Sequence, residues 1–280
     1  MHNMSSHKPI VNLVRLGRTK YLPTLKLQHY LVEKVKNSRA KVADEMEKMN
    51  VPKSHNMYTN YLLILEHDPV YTTGIRNRNE YSKEAEKTNF AKLGADFVQT
   101  DRGGLITFHG PGQLVVYPIL NLETFIPEND SASAQSKKGN LVGIRWYVNT
   151  LEQSVIDLLK EIYGFSPHRS PHTGVWLSEE NGINERKICA MGVHSSQLVT
   201  SHGLALNCST DLNWFNHIVP CGIEGKGVTS ITQELLNRGR KSATVEEVIP
   251  HYINSFKRNF QCDVKEHENS EFRDFIMNKS

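Results

Sequence analysis

Cys221 stands between a proline and a glycine in HIVPCGIEGKGVTSI, residues 217 to 231, a segment with three glycines that is poorly suited to building a core. Buried free cysteines sit among aliphatic neighbours, whereas reactive ones need access and a nearby positive charge. An unperturbed thiol, with a pKa near 8.5, is only a few per cent thiolate at pH 7; lowering it by about two units makes thiolate the major form. Two lysines could supply that charge: Lys226, five residues on, and Lys187, which heads the segment KICAMGVH. On residue type alone, a nucleophile and an inert loop cysteine are evenly balanced.

RGGLITFHGPGQ, residues 102 to 113, places two glycines before a short strand and two around Pro111. Backbone of this kind can approach a ligand closely, and its amides can hold an oxyanion or polar head group. His109 sits between the glycine pairs, placed to donate a hydrogen bond or exchange a proton; the same glycines could equally just turn a hairpin. In ERKICAMGVHSSQLVTSHGLALN, residues 185 to 207, strand alternation predicts Lys187, Cys189, Met191 and Val193 on one face and Ile188, Ala190, Gly192 and His194 on the other. A lysine beside Met and Val is costly to bury unless paired, so Lys187 either lies at an exposed strand start or serves a site. Cys189 shares its face and is a rival nucleophile, although a core position suits it better. His194, His202, Cys208, His217 and Cys221 match no common zinc spacing, so no metal is expected. The GxxxxGK phosphate loop and a GxGxxG turn after a strand are both missing.

Elements must hold these residues. IVNLVRL, 10 to 16, and YLLILEH, 61 to 67, read as strands, and YLPTLKLQHYLVEKVKN reads as an amphipathic helix from near Pro23 with Leu22, Leu25, His29, Val32 and Val35 on its apolar face. Residues 95 to 122 hold two or three strands punctuated by glycine, and GVWLS, KICAMGVH and HGLALNC add three more. A helical pattern runs from Leu141 to Tyr163 and ends at Gly164. TVEEVIPHYINSFKRNF opens with Thr244 and Glu247 at capping-box spacing and must accommodate Pro250 in its second turn. PENDSASAQSKKGN, 127 to 140, lacks apolar periodicity and reads as an exposed, mobile insertion. Strands and helices mix without βαβ alternation, which predicts an α+β fold around one mixed, largely antiparallel sheet flanked by helices.

The composition of the 280 residues is that of an ordinary globular chain: 38% hydrophobic, 22% charged, with a formal net charge of +3. That charge is too small and too dispersed for a nucleic-acid partner, and no apolar run approaches a membrane span. Four cysteines without CxxC spacing suggest free thiols in a reducing compartment. The first 32 residues hold five lysines and arginines and no acidic residue, a weak match to organelle targeting.

RGGLITFHGPGQLVVYPI, GVWL, KICAMGVHSS, SHGLALNCSTDLNWFNHIVPCGI and VTSI occur in the order seen in the lipoyl(octanoyl) transferase family, and the resemblance runs from about Val11 to Arg240. It implies a fold similar to biotin and lipoate protein ligases, with a short extension at 1–10, one catalytic domain over 11–262 and a polar tail at 263–280. It implies transfer of an octanoyl or lipoyl group from octanoyl-acyl carrier protein to a lysine of lipoyl domains in 2-oxoacid dehydrogenase complexes and of the glycine cleavage H protein, without a cofactor. Cys221 matches the acyl-thioester cysteine and Lys187 its companion lysine. The substrate-contacting segments match Arg102, Gly103, Gly104, Leu105, Ile106, Thr107, Phe108 and His109, then Ala190, Met191 and Gly192, then Gly203, Leu204 and Ala205. The likeness to eukaryotic members implies a mitochondrial location, or a cytoplasmic one for a bacterial protein. The competing readings are an ATP-dependent lipoate or biotin ligase and a non-catalytic factor that holds an acylated carrier.

Overall fold

The computed structural model describes residues 8–49, 58–77, 83–125, 143–179, 182–219 and 225–278. The 127–140 insertion and Cys221 therefore lie outside the described residues. In chain order the elements are β1 (Ile10–Thr19), α1 (Tyr21–Met49), β2 (Tyr61–His67), β3 (Val70–Thr73), α2 (Lys83–Lys92), β4 (Asp96–Gln99), β5 (Thr107–His109) and β6 (Gln113–Ile119). There follow α3 (Ile144–Tyr163), β7 (His168–Arg169), β8 (Val175–Leu177), β9 (Arg186–Ser196), β10 (Val199–Asn207), β11 (Gly227–Val228), α4 (Ile231–Leu236), α5 (Val245–Phe260), β12 (Asp263–Glu266) and α6 (Ser270–Met277).

Among these residues a nine-stranded sheet runs β12-β1-β2-β6-β10-β9-β8-β7, with β11 against β9; β3 joins β4 and β5 in a smaller sheet. The β12–β1, β1–β2 and β9–β11 pairs are parallel and the other pairs of the large sheet antiparallel, as the mixed pattern predicts. Alternation sorts its side chains. Leu62, Ile64, Leu114 and Val116 face a core shared with α3 and α5, while Leu63, Leu65, Val115 and Tyr117 face one shared with α1 and α6. Each large apolar side chain buried this way contributes about 1.5–3 kcal/mol.

The helices obey their local signals. Gly164 closes α3 in the left-handed region at φ 68°, its N–H bonding back to the last turn. Thr244 and Glu247 form the capping box, and Pro250 sits inside α5. In α1 the face differs from the sequence expectation. Val32 and Val35 are buried as expected, but Leu22 and His29 are exposed, and the buried face is completed by Tyr21, Thr24, Leu27, Gln28 and Leu31, with Gln28 accepting the His202 N–H. The supposed polar tail also differs. Residues 263–266 add edge strand β12 beside β1, and Phe272 and Ile276 of α6 seal the α1 side of the core. No helix of the described residues is long and apolar enough to cross a membrane.

Candidate active site

A cavity of about 440 Å³ lies along β9 and β10 beneath the glycine-rich 102–112 segment. Lys187 stands at one end, only 7% exposed. Its place depends on an irregularity. Val175 pairs with Cys189 but Trp176 with Lys187, so β9 bulges at Ile188 and the alternation slips by one residue. Ile188 and Cys189 therefore both enter the core, and Lys187 joins Ala190 and Gly192 on the cavity wall; the face expected from simple alternation is overturned.

The ammonium of Lys187 donates to the Thr173 carbonyl at 3.2 Å and lies 4.7 Å from the centre of the Trp176 ring, a cation–π contact. Among the described residues no carboxylate forms an ion pair with it. A side chain on Gly174 would meet the Cys189 carbonyl at 2.5 Å, so only glycine at this positive φ lets the 172–174 turn close over the lysine. The Glu152 carboxylate accepts the Gly174 N–H at 2.9 Å and fixes the turn from below.

The strand after Cys221 is rooted on the same lysine. Val228 pairs with Lys187, and the Thr229 N–H donates to the Lys187 carbonyl at 3.0 Å. The Thr229 hydroxyl and Arg186 both donate to Glu234, Arg186 through two bonds of 2.6 and 2.9 Å. Burial would raise the Glu234 pKa, but the hydrogen bonds from Arg186 and Thr229 outweigh it and hold it below the usual carboxylate range. Lys226, the other candidate cation, is spent on Glu185, whose second oxygen faces His168 Nε2 at 3.1 Å.

From Thr229 a chain of amides crosses the floor. Asn207 donates to the Thr229 carbonyl at 3.0 Å, Gln113 donates to Asn207 at 2.9 Å, and His109 Nδ1–H donates to Gln113 at 2.8 Å. Gln113 also donates to the Phe108 carbonyl, which sets its amide and hence the histidine tautomer. Burial, then His67 and Arg102, push the His109 pKa well down, so His109 is neutral with Nε2 left as an acceptor. His67, pushed down to about 4 by burial, donates through Nδ1 to the Thr19 carbonyl and accepts from the Tyr117 hydroxyl. Tyr117 in turn is hydrogen-bonded to Tyr21, whose pKa burial raises to about 12.

Of the residues expected to touch substrate, Arg102, Gly103, Gly104, Leu105, Thr107 and His109 line the cavity, as do Ala190, Met191, Gly192, Gly203, Leu204 and Ala205. Ile106 and Phe108 do not. Both point into an aromatic core under the small sheet, where Phe108 stacks on Trp214 with ring centres 5.0 Å apart. Arg102 spends its guanidinium on the Thr72, Gly103 and Leu105 carbonyls and so clamps its own loop. Cys189 is fully buried and burial pushes its thiol far up, as it does for Cys208, while Cys262 rises to about 12. Tyr21 and Thr173 line the same cavity without any motif to mark them, and Tyr117 and His202 line it from inside the matched segments although neither was expected to touch substrate.

Residues 20–257 match the lipoyl protein ligase A/B catalytic domain. The chain belongs to this family. Its relatives in the lipoyl protein ligase family include the mitochondrial octanoyl-acyl-carrier-protein:protein N-octanoyltransferase of Danio rerio, 43% identical over 92% of this chain and 96% of that protein. The octanoyltransferase of Christiangramia forsetii is 44% identical over 74% of this chain and 80% of its own length. The bipartite lipoate protein ligase of Thermoplasma acidophilum superposes with a TM-score of 0.56 at 14% identity, covering 98% of this chain and 91% of that structure, a likeness of fold alone. The family fold thus places Lys187 and the glycine-rich segment around one cavity.

Proposed function

We propose that the octanoyl transfer this chain performs in protein lipoylation runs through a thioester on Cys221, with Lys187 as its proton-handling partner. The carrying observation is the buried Lys187 ammonium at the end of the cavity, without a carboxylate partner among the described residues and bonded through its own carbonyl to the strand that follows Cys221. A cation so placed favours a nearby thiolate. The thiolate attacks the carbonyl of octanoyl-acyl carrier protein, the C–S bond to the carrier breaks, and the departing thiolate takes a proton from Lys187. One thioester replaces another, so this exchange costs little free energy. Neutral Lys187 then accepts a proton from the acceptor ammonium, whose freed amine attacks the acyl group; the C–N bond forms, the C–S bond breaks with Cys221 leaving as thiolate, and the new amide nitrogen releases its surplus proton to solvent. Lysines of lipoyl domains in 2-oxoacid dehydrogenase complexes and of the glycine cleavage H protein are the acceptors, and the setting is the mitochondrion. Intact mass after mixing with octanoyl-acyl carrier protein, without ATP, tests the proposal. One octanoyl group is expected on the wild type and on Cys189→Ser, and none on Cys221→Ser; transfer that survives Cys221→Ser or requires ATP would sink it.

A further inference from the structure

The cavity has a second polar end. Lys187 lies near the start of β9, and Val193, six residues later, pairs with His202 of β10. At about 3.3 Å per residue the two ends are separated by a little under ~20 Å along the strand. The 101–104 loop gathers three parts there. Gly103 N–H donates to the Val193 carbonyl at 3.0 Å, the Asp101 carboxylate accepts from His202 Nε2 at 2.8 Å, and Ile75 N–H donates to the Arg102 carbonyl at 3.1 Å. The last bond sets Arg76 on the cavity wall.

His202 is only 1% exposed and adopts φ 55°, a left-handed conformation that costs a non-glycine residue about 1–3 kcal/mol and persists only where the surroundings enforce it. Enforcement comes from Gln28, which accepts the His202 N–H at 2.8 Å, and from Asp101. The hydrogen bond from His202 holds Asp101 far below the usual carboxylate range, and burial keeps His202 itself neutral against the pull of Asp101. With Nε2–H committed, Nδ1 is an acceptor, and it is buried with no partner among the described residues. Stranding such an atom costs about 1–3 kcal/mol, a penalty relieved by a donor on a ligand. Arg76 is exposed at the cavity mouth and forms no ion pair among the described residues, whereas Lys226 pairs with Glu185 and the Arg102 guanidinium is bonded to backbone carbonyls. A saturated acyl tail offers neither a donor nor a negative charge. The phosphopantetheine arm that carries a thioester on an acyl carrier protein offers both, in amide N–H groups and a phosphate.

We propose that the end of the cavity built by Arg76, Asp101 and His202 takes this arm, an amide donating to His202 Nδ1 and the phosphate pairing with Arg76. The assignment rests on the octanoyl-carrier reading above. Asp101 is a positioning residue that fixes the tautomer and ring of His202.

Rates of acyl-enzyme formation, followed by intact mass against donor concentration, test it with octanoyl-acyl carrier protein, octanoyl-phosphopantetheine, octanoyl-pantetheine and the amide-free S-octanoyl mercaptoethanol. Arg76→Gln is expected to raise KM about 5- to 10-fold for the two phosphate-bearing donors and to leave the other two within about twofold, with Arg76→Lys restoring part of the loss. The difference shrinks as salt is added. His202→Phe raises KM for every amide-bearing donor and spares S-octanoyl mercaptoethanol. Arg76 is on the surface, so its arm of the test stands even where His202→Phe does not fold. Equal effects of Arg76→Gln on all donors, or none on any, overturn the assignment. No acylation of the wild type by any donor overturns the functional reading, and this assignment with it.

Discussion

The two ends of the cavity are built on opposite plans. At the Lys187 end nearly every polar group answers another within the chain: Thr229, Asn207, Gln113 and His109 form one hydrogen-bonded line, and Arg186, Thr229 and Arg238 converge on Glu234. At the His202 end an acceptor is buried with no partner among the described residues and a guanidinium is left facing solvent. On the mechanism proposed above, the first plan holds Lys187 in place before substrate arrives, which is how a preorganised site avoids reorganising during reaction. The second leaves valence for a ligand to fill. Rigidity and vacancy thus divide chemistry from recognition along a single strand pair.

The difference is broken most severely at Lys187. Lys187→Met keeps most of the apolar stem but removes the charge and with it the cation–π contact to Trp176, and octanoyl transfer is expected to fall about 10²–10⁴-fold. The thiol pKa should rise, moving the rate of Cys221 alkylation to higher pH. An unchanged alkylation profile would separate Lys187 from the thiol and leave it a purely packing residue.

Glu234 tests whether the rigid end is held by charge. Its side chain is 2% exposed and opposes Arg186, so Glu234→Ala strands a guanidinium and should cost about 3–5 kcal/mol of stability by denaturant unfolding. The folded pKa lies below the unfolded value of 4.5. Its contribution is therefore complete above that value and is lost as pH falls through the folded pKa, so wild type and variant should converge in stability in acid. A gap that persists once the pH has fallen through the folded pKa would assign the loss to packing.

Asn207 tests the hydrogen-bonded line itself. Asn207→Ala leaves the Gln113 amide and the Thr229 carbonyl short of a partner and should cost about 1–3 kcal/mol. Gln113 keeps its bond to the Phe108 carbonyl but loses its second anchor, so it holds the His109 ring less firmly and kcat should fall more than KM rises. A loss confined to stability would show that the line only braces the floor.

The local half of this arrangement was legible in the sequence and the nonlocal half was not. Thr244 and Glu247 marked the start of α5, and Gly164 the end of α3, because caps depend on residues within one turn. The order of glycine-rich and KICAMGVH segments carried the family and, with it, most of the cavity wall. The bulge at Ile188 was hidden, since it arises from how β8 pairs with β9, and it moved Lys187 from the expected face to the cavity. The Asp101–His202 bond joins residues 101 apart in the chain, a closeness that only the sheet order creates. Phe108 stood inside a matched segment yet packs away from the cavity, because alternation along β5 sends Thr107 and His109 to the wall and Phe108 beneath it. The polar composition of residues 263–277 concealed two side chains, Phe272 and Ile276, that suffice to dock a short helix.

The smallest effect expected is at Cys189, which lies one strand position from the bulge yet belongs to neither end. Its thiol is enclosed with Val175, Ile188 and Leu206 in the α3 and α5 core, and burial keeps it protonated. Cys189→Ala removes one buried sulfur and leaves a small void, so stability should fall by about 1 kcal/mol, while acyl-enzyme formation stays within about twofold of wild type. A loss comparable to that of Lys187→Met would mean that the core beneath β9 opens during turnover and exposes the thiol. In that case the rigid end would itself be the moving part, and the division between a fixed reacting end and a receptive one would have to be reversed.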